Sequence, residues 1–496
     1  MPESTLDVVI VGAGVSGIGA AWHLQHALPG YRYAIVEARA ELGGTWDLFR
    51  YPGVRSDSDL FTFGYAFRPW RGEAALADGA SIKEYLQDTA REAGIDRHIL
   101  FRHRVVRADW CSARRRWELQ LRDAQQRSIS LRARWIFCAS GYYRHDQGHT
   151  PHFDGRERFC GRIVHPQQWP DDLDCKGRRV IVIGSGATAV TLLPQLARDA
   201  AHVTMLQRTP TYILPVASRD RLAPRLRRWL GEPRTHALMR ALYLKRQQWV
   251  YALCRRHPDA ARRLIRHINA RLLPAGVDVD RDFRPPYAPW DQRLCVVPDG
   301  DLFRALRDGR ASVVTDSVAC FTRDGLRLAS GRELGADIVV TATGLRLLPF
   351  GGIELHVDGA AVRLPQCVAF KGMMLSGVPN LAFAIGYTSA SWTLKVGLVC
   401  EHFCRLLRHM QRRGLDSCTA RAEPGMATRP LLDFGAGYVR RALAELPRQG
   451  AEFPWAMSWN YAEDRRLLLE GRVDDPQLHF TARAQRRTRN GEEAMA

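Results

Sequence analysis

The sequence predicts an α/β protein built on two strand–turn–helix–strand units, with an all-helical segment inserted after the second. Three observations carry that prediction. Residues 7–14, "DVVIVGAG", are a β-branched apolar run ending in glycines, followed by helical spacing in "VSGIGAAWHLQHA" and a second apolar run, "YAIVEAR". The same unit returns about 170 residues later as "RVIVIGSG", "ATAVTLLPQLARD" and "HVTMLQR". Between 216 and 275 the pattern turns helical, with Leu222, Leu226 and Leu230, then Leu264, Ile268 and Leu272, each four residues apart.

Length agrees with such a division, because 496 residues exceed one ordinary hydrophobic core. No basic-then-apolar leader opens the chain, and no apolar run reaches spanning length. The eleven cysteines are scattered, without a Cys-x-x-Cys pair, which predicts free thiols in a reducing cytoplasm and no metal site. Net charge is +20, unevenly spread: residues 219–271 hold 15 Lys/Arg against three acids, a local net charge of +12. No nucleic-acid motif accompanies that charge. Its plain reading is a solvated helical face, and nucleic acid is not an expected partner. Peripheral association with the inner face of an anionic membrane is a further expectation from the same charge.

The first glycine turn is Gly12, Gly14, Ser16 and Gly17, opening a helix whose free N–H groups face an incoming pyrophosphate. Glu37 ends the next strand, 25 residues after Gly12, where a carboxylate accepts from ribose hydroxyls and repels a 2′-phosphate. The second turn is Gly184, Ser185, Gly186, Ala187 and Thr188. Its second strand ends in Arg208 and Thr209 instead of an acid, and a guanidinium there suits a 2′-phosphate. The first site therefore suits FAD and the second NADPH, which makes the fold class two Rossmann-like dinucleotide-binding domains with an all-helical insertion. Gly44, Thr45 and Trp46 lie in a glycine- and tryptophan-rich loop that suits backbone wrapping around a flat cofactor.

With these units on the page, three longer motifs bring out a resemblance. The segment "FCGRIVHPQQWP" holds Phe159, Gly161, His165, Trp169 and Pro170 at the spacing Phe-x-Gly-x-x-x-His-x-x-x-Trp-Pro. A second pattern is Gly43, Gly44, Trp46, Tyr51, Pro52, Gly53 and Asp57, and a third is Ala342-Thr343-Gly344. Over residues 5–482 the chain resembles the type I Baeyer–Villiger monooxygenases, a class of flavoprotein monooxygenases, and within them the ethionamide-activating kind of mycobacteria. The resemblance implies an NADPH- and O2-dependent enzyme. It would insert an oxygen beside the carbonyl of hydrophobic ketones to give esters or lactones, and would also oxidise sulfur compounds.

The same resemblance assigns roles. Arg293 is the cation that balances the negative reacting oxygen species, and Asp57 orients it. Thr343 and Gly344 join the cofactor-binding set. Phe159, Gly161, His165 and Trp169 form a linker between the FAD and NADP domains. The implied domains are an FAD-binding domain in residues 1–145 and 336–482, an NADP-binding domain in 146–215 and 291–335, the helical insertion in 216–290, and a disordered tail in 483–496. One departure is Gln292, where many relatives carry lysine for the 2′-phosphate. Substrate-pocket walls are expected from the insertion, from "LPF" at 348–350 and from "GYTSASWT" at 386–393. The competing readings are an N- or S-oxygenase of the same fold, a disulfide reductase, which would need a redox-active cysteine pair, and a binding protein using the basic insertion. The physiological substrate and the oligomeric state are not legible.

Overall fold

A computed structural model describes residues 5–482 except 72, 73, 293, 389 and 433. Two separate sheets organise the molecule. In the first, strand Leu6–Val11 lies parallel between Tyr33–Val36 and Ser128–Cys138. Val8, Val9 and Ile10 are at most 1% exposed, so this strand is covered on both faces, as its unbroken apolar run requires. The sheet widens to eleven strands through an antiparallel stretch, Arg104–Cys111, Arg116–Arg122 and Ser128–Cys138. The late strand Leu381–Phe383 returns to pair with Ser128–Cys138. Helix Val15–Ala27 packs beside the long helix Trp392–Arg413 over one face.

The second sheet is five parallel strands in the order Ala311–Thr315, His202–Gln207, Arg179–Ile183, Ile338–Thr341 and Arg162–Val164. Helices Ala187–Leu196 and Asp301–Arg307 cover one face. An antiparallel trio, Val318–Thr322, Gly325–Leu328 and Glu333–Gly335, covers the other through Phe321, Leu326 and Phe159. One expected boundary shifts. The sequence reading puts residues 336–482 in the first domain, yet Ile338–Thr341 sits inside the second sheet between two of its strands. The crossing back to the first sheet comes after it, because a central parallel strand cannot leave its ladder without stranding buried backbone groups.

The insertion is a pair of helices, Ala223–Arg256 and Pro258–Leu272, followed by the short turn Val279–Asp282. Gly231 breaks the first with φ 71° and ψ 170°. The leucine spacing marks these helices, but the stripe does not face inward. Leu222, Leu230 and Leu264 are exposed, while Thr235, His236, Met239 and Tyr243 are buried. Strands Ile213–Val216 and Cys295–Pro298 pair in parallel and close the insertion at its base. All eleven cysteines lie among the described residues and none forms a disulfide.

Candidate functional site

The first glycine turn folds as its spacing requires. Gly12 N–H donates to Val36 O, and a Cβ on Gly17 would stand 1.8 Å from Gly12 O, so only glycine lets the helix sit this close to the strand. Glu37 is 5% exposed and holds both ends of the site: Ala13 N–H donates to Oε2 (2.7 Å) and Arg39 N–H to Oε1 (2.8 Å). Each oxygen keeps a lone pair for a further donor. The loop at 43–47 closes over this turn. Gly14 and Gly44 come so near that a Cβ on Gly44 would lie 3.1 Å from Gly14 Cα. Asp47 anchors the loop through Arg39 (2.6 Å) and Lys83 (2.7 Å). Burial pushes its carboxyl up, but hydrogen bonds from Lys83 and Arg39 outweigh that and hold it below the ordinary range.

A cavity of about 680 Å³ opens from this turn. Gly12, Gly14, Ser16, Glu37, Gly44, Thr45, Trp46 and Asp57 line it, and Ala187 and Thr188 of the second turn line it too. Gly17 stays behind the wall, against Gly12. The loop "YPG" explains how the two turns meet. Tyr51 is 8% exposed, shares a hydrogen bond with Thr188, and has its hydroxyl pushed up to about 12 by burial. Gly53, at φ +76°, presses on the second helix so closely that a Cβ would stand 2.4 Å from Gln195 Cγ. The cavity thus reaches from the acid of the first nucleotide turn to the helix start of the second. It fits a cofactor held by the first and facing one held by the second, and Gly186 opens onto free space, as close approach of a phosphate requires.

Arg208 stands exposed past the end of strand His202–Gln207, with no ion-pair partner among the described residues. Thr209 O accepts from Ser185 Oγ (2.7 Å), which ties the second turn to that strand end. Gln292 is half-buried at the rim of strand Cys295–Pro298. Arg293 lies outside the described residues.

The linker residues are spread over both faces of the second sheet, and none of them is among the cavity-lining residues. Gly161 has no room for a side chain, since a Cβ would lie 2.3 Å from Asp337 O. Phe159 packs on Phe321, and Trp169 on the core beneath the second sheet. His165 Nδ1 accepts from Gln167 N–H (3.1 Å), which leaves Nε2 as the protonated nitrogen, donating to Gly344 O (3.3 Å). Burial keeps its pKa below the ordinary value, in line with a neutral ring. Thr343 and Gly344, expected among the cofactor contacts, take part in this crossing and are not among the cavity-lining residues. Thr343 Oγ1 donates to His149 O (2.6 Å), and His149 N–H donates to Gly344 O (3.0 Å).

Two contacts of wall residues are not legible in the sequence. Trp392 donates its indole N–H to Ser16 Oγ (2.9 Å) and lines the cavity, as does Ala390; the stretch 386–393 was expected at a pocket wall, but not this contact. Arg55 is a cation in the wall, paired at 3.3 Å with Asp301 at the start of a helix that covers the second sheet. Its signal, a basic residue between Tyr51 and Asp57, was visible, but nothing in sequence pairs it with Asp301. Leu348 lines the cavity from the 348–350 stretch, whereas Phe350 is buried in the core.

Comparison with known proteins bears on the whole chain. Residues 75–224 match the family described as flavin-binding monooxygenase-like, and residues 10–72 an NAD(P)-binding Rossmann-like domain. The chain is 52% identical over 481 residues to the FAD-containing monooxygenase EthA of Mycobacterium tuberculosis, covering 96% of this chain and 98% of that one. It is 43% identical over 486 residues to a probable FAD-binding monooxygenase, AlmA, of Acinetobacter, covering 97% and 98%. The structure of an oxidised steroid monooxygenase bound to NADP superimposes with a TM-score of 0.75 at 20% identity, over 97% of this chain and 100% of that one. The chain belongs to the EthA-type family of FAD-containing flavin monooxygenases, whose fold is that of the Baeyer–Villiger enzymes.

Proposed function

We propose that the protein is an FAD- and NADPH-dependent monooxygenase that inserts one atom of O2 beside the carbonyl of hydrophobic ketones, giving esters or lactones. Sulfur compounds would be oxidised in the same cavity. The observation that carries this reading is that one cavity has in its walls both the Gly12–Glu37 turn and the Ala187–Thr188 helix start. When bound, the flavin supplies hydride acceptance and the activation of oxygen. The chain supplies the rest. Gly12, Gly14 and Gly44 admit the dinucleotide, and Glu37 selects against a 2′-phosphate there. Arg208 with Thr209 receives the 2′-phosphate of NADPH at the other end. Trp46 and Trp392 wall the cavity against water. Asp57 lies in the wall beside Tyr51 and orients Arg293, whose fixed charge stabilises the anionic oxygen in the transition state. His165 holds the crossing between the two nucleotide units and moves no proton.

The test is product analysis. Purified protein is yellow and releases FAD; with NADPH, O2 and a panel of linear, cyclic and aryl ketones it forms esters or lactones. Formation of only N- or S-oxides, with every ketone unchanged, favours the N- or S-oxygenase reading. Folded protein that cannot be reconstituted with FAD overturns both.

A further inference from the structure

We infer that the outer face of the helical insertion is an interfacial surface for an anionic lipid bilayer. The inference does not depend on the reaction proposed above. Along helix Ala223–Arg256, Leu238, Leu242 and Trp249 lie within 40° of one another at 100° per residue, and are 47%, 46% and 66% exposed. Lys245 and Arg256 share the stripe, and both are exposed. Trp229, just before the break at Gly231, is 88% exposed.

This exposure is fixed by the opposite face. Met239 and Tyr243 are buried against Phe61. Arg240 Nη1 donates to Phe61 O (2.7 Å) and Gly64 O (3.0 Å), and Gln247 Nε2 donates to Asp59 Oδ2 (2.6 Å). The helix cannot rotate to hide its leucines and tryptophan without breaking those contacts. Phe63, in the same short turn as Phe61, lines the cavity, so the inner face of this helix packs on a segment that walls the site.

Charge selects the occupant. The three acids of residues 219–271 are already engaged: Glu232 by Arg227 (2.6 Å), Asp259 by Arg262 (3.0 Å), and Asp220 by Tyr243 Oη (2.6 Å). Arg225, Arg228, Arg234, Lys245 and Arg256 have no carboxylate partner among the described residues, and all are exposed. A second copy docking here would set +12 against +12. An anionic headgroup layer neutralises that charge, and its interfacial zone accepts tryptophan and leucine side chains. Among the described residues no helix is long and apolar enough to cross a membrane, and the contact proposed here is a peripheral one.

The test uses the FAD-loaded full chain and large unilamellar vesicles of phosphatidylcholine, with or without phosphatidylglycerol. Co-sedimentation is expected with the phosphatidylglycerol vesicles at low salt, weakening as salt rises. Trp229→Ser with Trp249→Ser should lower partitioning about tenfold or more while leaving the FAD content unchanged. Arg225→Gln, Arg228→Gln, Arg234→Gln and Lys245→Gln together should do the same. Absence of wild-type binding overturns the inference, as does equal binding to neutral vesicles. Loss with the charge variant alone would mean a general polyanion surface and also overturns it. Sedimentation velocity supplies the last arm: an oligomer dissolved by the tryptophan variant, with vesicle binding intact, would assign the face to a second copy.

Discussion

At the scale of single residues, the two nucleotide ends are separated by the sign of one side chain. Glu37 is buried and held by two backbone donors, whereas Arg208 is exposed and has no ion-pair partner among the described residues. Arg208→Ala is therefore expected to weaken NADPH far more than NADH. A charge-assisted contact is worth roughly 1.5–3 kcal/mol, about ten- to a hundredfold in affinity. Equal effects on both coenzymes would refute the role, and Gln292→Lys should strengthen the NADPH preference. Arg293 and Asp57 test the oxygen-transfer step. Arg293→Ala should abolish ester formation, at a cost of about 2.7–4 kcal/mol in the transition state, yet leave flavin reduction by NADPH intact. The variant would consume NADPH slowly and release hydrogen peroxide, and Asp57→Ala should show a milder form. Rapid-mixing absorbance of the reduction step decides: loss of reduction together with FAD means that Arg293 only supports the fold. Residue types at fixed offsets single out Glu37 and Arg208, whereas Asp57 and Arg293 are proposed on the resemblance. Arg55 is not singled out, because its meaning lies in Asp301, some 246 positions away.

At the scale of elements, the loop from Gly43 to Asp57 does the joining. It closes over the first turn through Gly44 and leans on the second helix through Tyr51 and Gly53. Gly53→Ala meets two penalties. A side chain at φ +76° costs about 1–2 kcal/mol, and its Cβ would push Gln195 aside. The expected result is a lower Tm, together with a higher KM for NADPH, because Thr188 shifts with its helix. Unchanged NADPH kinetics at a lowered Tm would confine the loop to a packing role. The helices of the insertion were legible from leucine spacing, but their orientation was not. Periodicity marks a helix and one apolar stripe. It does not say which of two faces meets a neighbour when the other carries Met239, Tyr243, Arg240 and Gln247.

At the scale of the whole molecule, two buried histidines, His236 and His402, and two half-buried ones, His23 and His145, set an acid limit. Burial pushes His23, His145 and His236 down to about 4, and His402 to about 3. An unfolded chain protonates each near pH 6.5, so below that value the unfolded state binds more protons and gains. Stability is accordingly full above pH 6.5 and declines as pH falls toward 4. Asp47 adds to the loss at the acid end, since its carboxyl is held low in the fold and must be protonated. Differential scanning calorimetry should show a Tm that is level from pH 7 to 8 and falls steadily between 6.5 and 4. A flat profile across that window contradicts the assignment of neutral rings at these four histidines.

What the sequence determined by itself is the set of local devices. Glycine turns at strand ends, the acid and the arginine that follow them, the helical insertion and the linker motif are all short-range patterns, and short-range sterics and charge fix them. The tertiary structure alone decided what those devices meet. Strand Ile338–Thr341 reads as a strand in any context, but only its pairing with Arg179–Ile183 and Arg162–Val164 places it in the second sheet. Gly344 reads as a turn, and only the fold sets its carbonyl on His165. Hydrogen-bond partners distant in sequence are chosen by packing, because a buried donor takes whichever acceptor the folded chain brings within reach.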